Sequence, residues 1–154
     1  MTNKELRNAA AAGDAEAQYD LGMMYLSGTH GFPKHFAKAY HWFLQSAAQG
    51  HTDAQFTLGT LYIFGRDKDI PQDYQQARYW YEKAAAQDHV EAQFLLGVMY
   101  EDGTGGPSDW DKALEWYQKA CEGGDEKACE AYEELIELME LESQDTETGP
   151  EIDV

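Results

Sequence analysis

The sequence is short of positive charge. Of its 154 residues, 11 are lysine or arginine and 29 are aspartate or glutamate, a formal net charge of −18. Residues 101–154 alone hold 3 basic and 18 acidic residues. Such a surface repels nucleic-acid phosphates and anionic membrane headgroups, so we expect neither as a partner and favour a basic protein or peptide. Solubility is the alternative explanation for the acidity.

Long hydrophobic runs are also missing. No stretch approaches the roughly 20 consecutive apolar residues that a membrane-spanning helix needs. The first residues, MTNKELRNAAAAGD, lack the cationic and apolar segments of a secretory signal, so we expect a cytoplasmic protein. Hydrophobic residues nevertheless make up 43% of the chain, which is enough for the packed core of about one domain.

What the chain has in abundance is repetition. Three stretches are nearly identical, namely AQYDLGMMYLSG at 17–28, AQFTLGTLYIFG at 54–65 and AQFLLGVMYEDG at 92–103. Each is followed by a loop containing proline and then by a second related segment, at 37–50, 76–88 and 111–124. Ala17, Ala54, Ala92 and Ala128 are equivalent, with spacings of 37, 38 and 36 residues. A period of this size, with its length changes confined to loops, is typical of a solenoid.

Both segments of each unit show the apolar spacing of a helix. A glycine recurs in the interior of the first helix, where it costs about 1 kcal/mol relative to alanine. We expect a neighbouring helix to pass too close there for a Cβ atom, with a tryptophan ring filling the contact. The glycines are Gly22, Gly59 and Gly97, and the rings are Trp42, Trp80 and Trp116.

The two ends differ from the repeats. Residues 3–12 are predicted to form a truncated second helix that caps the N-terminus, with Thr2 and Glu5 at the spacing of a capping box. Residues 125–141 are predicted to form a capping first helix, and the acidic segment 143–154 is predicted to be disordered. The predicted domain is 1–142, with repeats at about 14–50, 51–88 and 89–124.

The pattern AxxGxxxAQxxLGxxYxxG followed by KAxxWYxKAA resembles the Sel-one-like repeat (SLR) family, which is related to tetratricopeptide repeats. In the third unit it is carried by Ala92, Gln93, Leu96, Gly97, Tyr100, Gly103, Lys112, Ala113, Trp116, Tyr117, Lys119 and Ala120. The resemblance implies an all-α fold, an α/α superhelical solenoid of about three repeats with a capping helix at each end. It also implies a non-enzymatic scaffold or adaptor that binds another protein.

The cysteine pair resembles the cysteine-rich, secreted branch of that family, where such a pair cross-links adjacent helices. Cys121 and Cys129 would then form a disulfide. The residues themselves favour two free thiols instead, because Cys121 aligns with Ala47 and Ala85, where a small buried hydrophobe fits, and the expected cytoplasm is reducing. The same branch implies a less favoured function, that of a β-lactam-binding enzyme.

Patterns for catalysis or metal binding are lacking. His51 and His89 occupy one repeat position at a helix entry, where a polar side chain is favoured as an N-cap. No HExxH spacing, GxSxG context or SxxK motif is present. We therefore predict no enzymatic activity, no metal and no cofactor.

Partner binding is predicted on the exposed face of the first helices, which line the concave surface in tetratricopeptide scaffolds. We expect a monomer or weak homodimer whose groove accepts a peptide or helix and has an apolar middle and an acidic C-terminal end. An immunity-like inhibitor that masks a basic protein is the alternative function. The groove candidates are Asp20, Met23, Ser27, Thr57, Thr60, Phe64, Leu95, Val98 and Asp102.

Overall fold

The computed structural model describes residues 1–65, 68 and 70–147, and this part of the chain is all-α. Its eight helices are α1 (Asn3–Ala11), α2 (Ala15–Ser27), α3 (Phe36–Ala48), α4 (Thr52–Phe64), α5 (Tyr74–Ala85), α6 (Val90–Asp102), α7 (Trp110–Glu122) and α8 (Glu126–Glu147). Helix α8 therefore includes residues 143–147, which the sequence analysis assigned to a disordered tail. The rest of that predicted tail, 148–154, lies outside the described residues.

Each helix packs against the next one along the chain. The pairs α2/α3, α4/α5 and α6/α7 are the three repeats, so we call the first helix of each pair an A helix and the second a B helix. Helix α1 precedes the first A helix in the place of a B helix, and α8 follows the last B helix in the place of an A helix. This is the predicted α/α solenoid.

Polar side chains begin the helices as the sequence indicates. The Nδ1 atoms of His51 and His89 accept hydrogen bonds from the backbone N–H of Ala54 and Ala92, at 3.2 and 3.1 Å. The two histidines are thus N-caps, as predicted. His35 caps α3 in the same way, a role that the sequence analysis did not assign.

The recurring glycines do lie where another helix comes very close. A Cβ atom added to Gly59 would lie 2.5 Å from Cδ1 of Tyr81 on the paired B helix. The filling ring, however, is not a tryptophan as predicted. It is the aromatic residue that follows the tryptophan, so that the contacting pairs are Gly22 with Phe43, Gly59 with Tyr81 and Gly97 with Tyr117.

The tryptophans pack toward the preceding helices instead. Trp42 lies against the hydrophobic cluster of α1 and α2, Trp80 belongs to the cluster of α3 and α4, and Trp116 lies against that of α5 and α6. Successive residues of a helix point about 100° apart. The tryptophan therefore joins one repeat to the previous helix pair, while the next residue joins the two helices of its own repeat.

A buried glutamine ties each A helix to the helix before it. Its Nε2 donates a hydrogen bond of 3.1–3.2 Å to the carbonyl oxygen of an alanine eight residues earlier. We call this contact the glutamine clamp. The three pairs are Gln18 with Ala10, Gln55 with Ala47 and Gln93 with Ala85.

The two cysteines occupy the fourth clamp position. Cys129 in α8 stands where the A helices have the glutamine, and Cys121 in α7 stands where the preceding helices have the alanine. The structure joins them in a disulfide, with Cα atoms 4.8 Å apart and a sequence separation of 8. A covalent bond thus takes the place of the hydrogen bond where the last helix attaches.

Candidate binding groove

A groove lies between the A helices α4 and α6, with a volume of about 760 Å³. We call it the large groove. The start of α5 and the loop after α6 complete its walls. It is lined by Phe56, Thr60, Ile63, Phe64, Tyr74, Tyr81, Glu91, Leu95, Val98, Met99, Asp102, Gly103, Thr104 and Gly105.

A second, smaller groove of about 280 Å³ lies on the other side of α4. Phe56, Thr60 and Phe64 line both grooves, so α4 is the ridge between them. Phe64, at the C-terminal end of this ridge, is 70% exposed. The other residues of the small groove are Leu26, Lys34, Phe36, Thr57 and Leu61.

Polar groups inside the large groove bond to one another. The hydroxyl oxygens of Thr60 and Tyr81 are 3.0 Å apart, and the Thr60 hydroxyl also donates to the carbonyl oxygen of Phe56. Burial raises the pKa of the Tyr81 hydroxyl. Because these hydroxyls have partners within the protein, the groove offers an incoming molecule mainly rings and aliphatic side chains.

The loop after α6 closes one end of the large groove. Arg78 of α5 donates a hydrogen bond to the carbonyl oxygen of Pro107 at 3.2 Å, and its guanidinium lies 3.8 Å from the ring centre of Tyr100. Gly105 of the loop lies so close to the Tyr74 carbonyl oxygen that a Cβ atom would collide with it. Its φ of +76° also favours glycine. The loop is therefore held against the start of α5.

Charged side chains line the large groove at two places. Glu91 and Asp102 line it, and they lie near opposite ends of α6. Asp102 also accepts a hydrogen bond of 2.8 Å from the backbone N–H of Thr104. No lysine or arginine of the described residues lines this groove, so its electrostatic character is negative at both ends.

A third concavity, of about 720 Å³, lies between the starts of α6 and α8. Glu91 and Leu95 line it as well as the large groove, so the two adjoin along α6. The other residues around it are Val90, Phe94, Gly123, Gly124, Asp125, Glu126 and Lys127.

Six of the nine groove candidates from the sequence line the large groove, the small groove or both. They are Thr57, Thr60, Phe64, Leu95, Val98 and Asp102. Asp20, Met23 and Ser27, at the equivalent positions of α2, line neither. In α4 and α6 the three equivalent positions line the groove shared with the preceding A helix, whereas α2 has no preceding A helix. Asp20, Met23 and Ser27 therefore have no second helix opposite them to complete a groove.

Some groove residues lie off the exposed positions of the A helices and were not predicted from the sequence. Tyr74 begins a B helix, and Thr104 and Gly105 belong to a loop. No repeat position marks them, because they reach the groove through the packing of the loop on α5. Ile63 and Glu91 lie in A helices, but at positions that the sequence analysis did not assign to the groove.

Metal ligands do not cluster in the part of the chain that the structure describes: it contains no group of three or more His, Cys, Asp or Glu side chains that could hold an ion. Among the described helices, none combines the length and the apolar character required to cross a membrane.

Comparison with known proteins agrees with this architecture. The Sel1 repeat model matches residues 15–51, 52–89 and 90–125. A Sel1 repeat protein from Oxalobacter formigenes is 36% identical, with a TM-score of 0.78 over 85% of this chain and 96% of that one. No curated protein matches the chain in sequence.

Two further solved structures are similar. A protective antigen of uropathogenic Escherichia coli that displays an SLR fold is 38% identical, with a TM-score of 0.76 over 83% of this chain and 27% of that one. Cysteine-rich protein B of Helicobacter pylori is 23% identical, with a TM-score of 0.63 over 85% of this chain and 97% of that one. At this identity the last comparison speaks for the shared fold alone.

Proposed function

This chain belongs to the Sel1 repeat family, and from that premise we propose that it is a non-enzymatic scaffold whose large groove binds a segment of another protein. Sel1 repeat proteins in general bind other proteins. The observation that carries the proposal for this chain is Phe64, which is 70% exposed at the rim of a groove of about 760 Å³.

An exposed phenylalanine beside an apolar groove favours a binding role on energetic grounds. Covering such a ring contributes about 2–3 kcal/mol, and aromatic anchors of this kind carry much of the affinity of protein interfaces. The volume of the groove lies within the range of about 300–1,000 Å³ of ligand sites. Its inner hydroxyls are already hydrogen-bonded, so an apolar side chain can enter without leaving them unpaired.

The test is selection of a displayed library of random 12-residue peptides on the immobilised protein, followed by measurement of Kd for the enriched peptides. Phe64→Glu places a charge at the rim and should weaken binding at least about tenfold, as expected for loss of a central anchor. Tyr79→Glu is the matched control, because Tyr79 is 47% exposed but lies on α5 outside both grooves. It should change Kd less than about twofold.

Circular dichroism must show the same helical content for both variants. Equal Kd values for the Phe64→Glu variant and the unaltered protein would refute the proposal, and so would a selection that enriches no peptide.

A further inference from the structure

The charged groups of the large groove are arranged in a regular way on one helix. Glu91, Leu95, Val98 and Asp102 all line it and lie at positions i, i+4, i+7 and i+11 of α6, a single face of the helix. Two carboxylates thus stand at the ends of the face and two aliphatic side chains lie between them. With a rise of 1.5 Å per residue, the backbone positions of the carboxylates are about 16 Å apart.

From this arrangement we infer that the large groove takes an extended peptide segment with two basic residues about five positions apart and apolar residues between them. The inference rests on the proposed function. A strand rises about 3.3 Å per residue, so five residues span the roughly 16 Å between the backbone positions of Glu91 and Asp102. The intervening side chains contact Leu95, Val98 and the rim residue Phe64.

The contact between α4 and the residue that begins α6 favours an extended segment over a helix. The ring of Phe56 in α4 stacks on that of His89 at the start of α6, with ring centres 4.4 Å apart. Helix α4 and the N-cap of α6 are therefore in direct contact at the end of the groove where Glu91 lies. A helix with its side chains is about 10–12 Å in diameter, too wide to enter between elements that touch at one end, so we infer an extended segment that lies along the groove.

The negative charge of the groove favours a basic partner over other occupants. A second copy of this chain would bring another net charge of −18 to the acidic ends of the groove, and the chain's own segment 148–154 adds acidic residues and no basic one. Both are disfavoured by repulsion. A basic partner gains attraction at Glu91 and Asp102, and such complementarity also determines the position of the segment along the groove.

The test uses a displayed library in which two arginines are fixed at every separation from two to nine positions and all other residues are random. The expected result is enrichment of separations of four to six, with apolar residues between the arginines. The most enriched peptide is then synthesised with a fluorescent label, and its Kd is measured by polarisation for the unaltered protein and its variants.

Reversing both carboxylates, Glu91→Lys with Asp102→Lys, should weaken binding of this peptide at least about tenfold. The same peptide with glutamate in place of both arginines should in turn bind the variant better than it binds the unaltered protein. Glu115→Lys with Glu137→Lys is the control, because both residues are exposed, lie on α7 and α8, and give the same change of net charge. This control should keep Kd within about threefold.

The outcomes separate the two proposals. Enrichment without a preferred arginine separation, or equal Kd values for the groove and control reversals, overturns this inference. The proposed function then still stands if Phe64→Glu weakens binding. If no selected peptide is sensitive to Phe64→Glu, both proposals fail.

Discussion

Replacing the disulfide by a fourth glutamine clamp tests whether the two contacts are structurally equivalent. The double variant Cys121→Ala with Cys129→Gln gives the α7–α8 junction the residues found at the three earlier junctions. Its reference is Cys121→Ala with Cys129→Ala, which has neither the disulfide nor the clamp. Alanine at 121 introduces no new volume, since Ala47 and Ala85 occupy this position in the other repeats.

The expected stabilities follow from the two kinds of contact. Because the cysteines are 8 positions apart in the sequence, the loop that the disulfide closes is short, and chain entropy gives a stabilisation of about 2.5 kcal/mol. The clamp is one buried hydrogen bond, which contributes about 1 kcal/mol. We therefore expect the oxidised protein to be the most stable, the alanine–glutamine variant to be intermediate, and the double-alanine variant and the reduced protein to be the least stable.

Urea unfolding followed by circular dichroism at 222 nm, with and without reductant, measures these differences. Reductant should lower the free energy of unfolding of the unaltered protein by about 2.5 kcal/mol and leave both variants unchanged. Amide hydrogen exchange in α8 should follow the same order, because solenoid stability is determined by contacts between neighbours. If the glutamine variant is no more stable than the double-alanine variant, the proposed equivalence is wrong.

Gly59→Ala should lower the free energy of unfolding in urea by about 1–3 kcal/mol. A Cβ atom 2.5 Å from the Tyr81 ring overpacks the contact, and this cost exceeds the gain in helix propensity from alanine. Equal or higher stability would show that the ring moves aside easily. His89→Ala should cost about 1.5–2.5 kcal/mol in the same assay through loss of the N-cap of α6 and of the ring stacking on Phe56. His41→Ala, at an exposed position that caps no helix, should cost less than about 0.5 kcal/mol. Burial and a hydrogen bond to a carboxylate raise the pKa of Tyr100 to about 12, against about 10 in an unfolded chain. Between pH 10 and 12 the folded state thus keeps a proton that the unfolded state loses, so this stabilisation is present below pH 10 and lost between pH 10 and 12. The measurement is the urea midpoint over this range, with absorbance at 295 nm to report tyrosine ionisation. Midpoints that stay constant would contradict the assignment.

The sequence was most informative where one residue type recurs with the repeat period. The period, the helix entries at His51 and His89, and the close contact at the interior glycines could all be read from it. Each depends on local chemistry: apolar spacing forms a helical face, a polar side chain satisfies the first N–H groups, and an interior glycine is tolerated only for a packing reason.

The sequence did not specify which side chain meets which. The ring against Gly59 is Tyr81 and not Trp80, because a shift of one residue turns the side chain by about 100° and directs it to a different neighbouring helix. Periodicity shows which face of a helix is buried, but the contact depends on the position of a second helix that the pattern does not encode.

The groove shows the same limit. Thr60, Leu95 and Val98 could be proposed from repeat equivalence, but Met23 occupies the position of Thr60 and lies outside both grooves. A groove needs two walls, and α2 lacks a preceding A helix to form the second. The sequence by itself therefore determined the helices, their order and their repeated packing positions, since these follow from local propensity and period. Only the tertiary structure decided which repeats enclose a groove and which loop closes it, because these depend on the distances between helices remote in sequence.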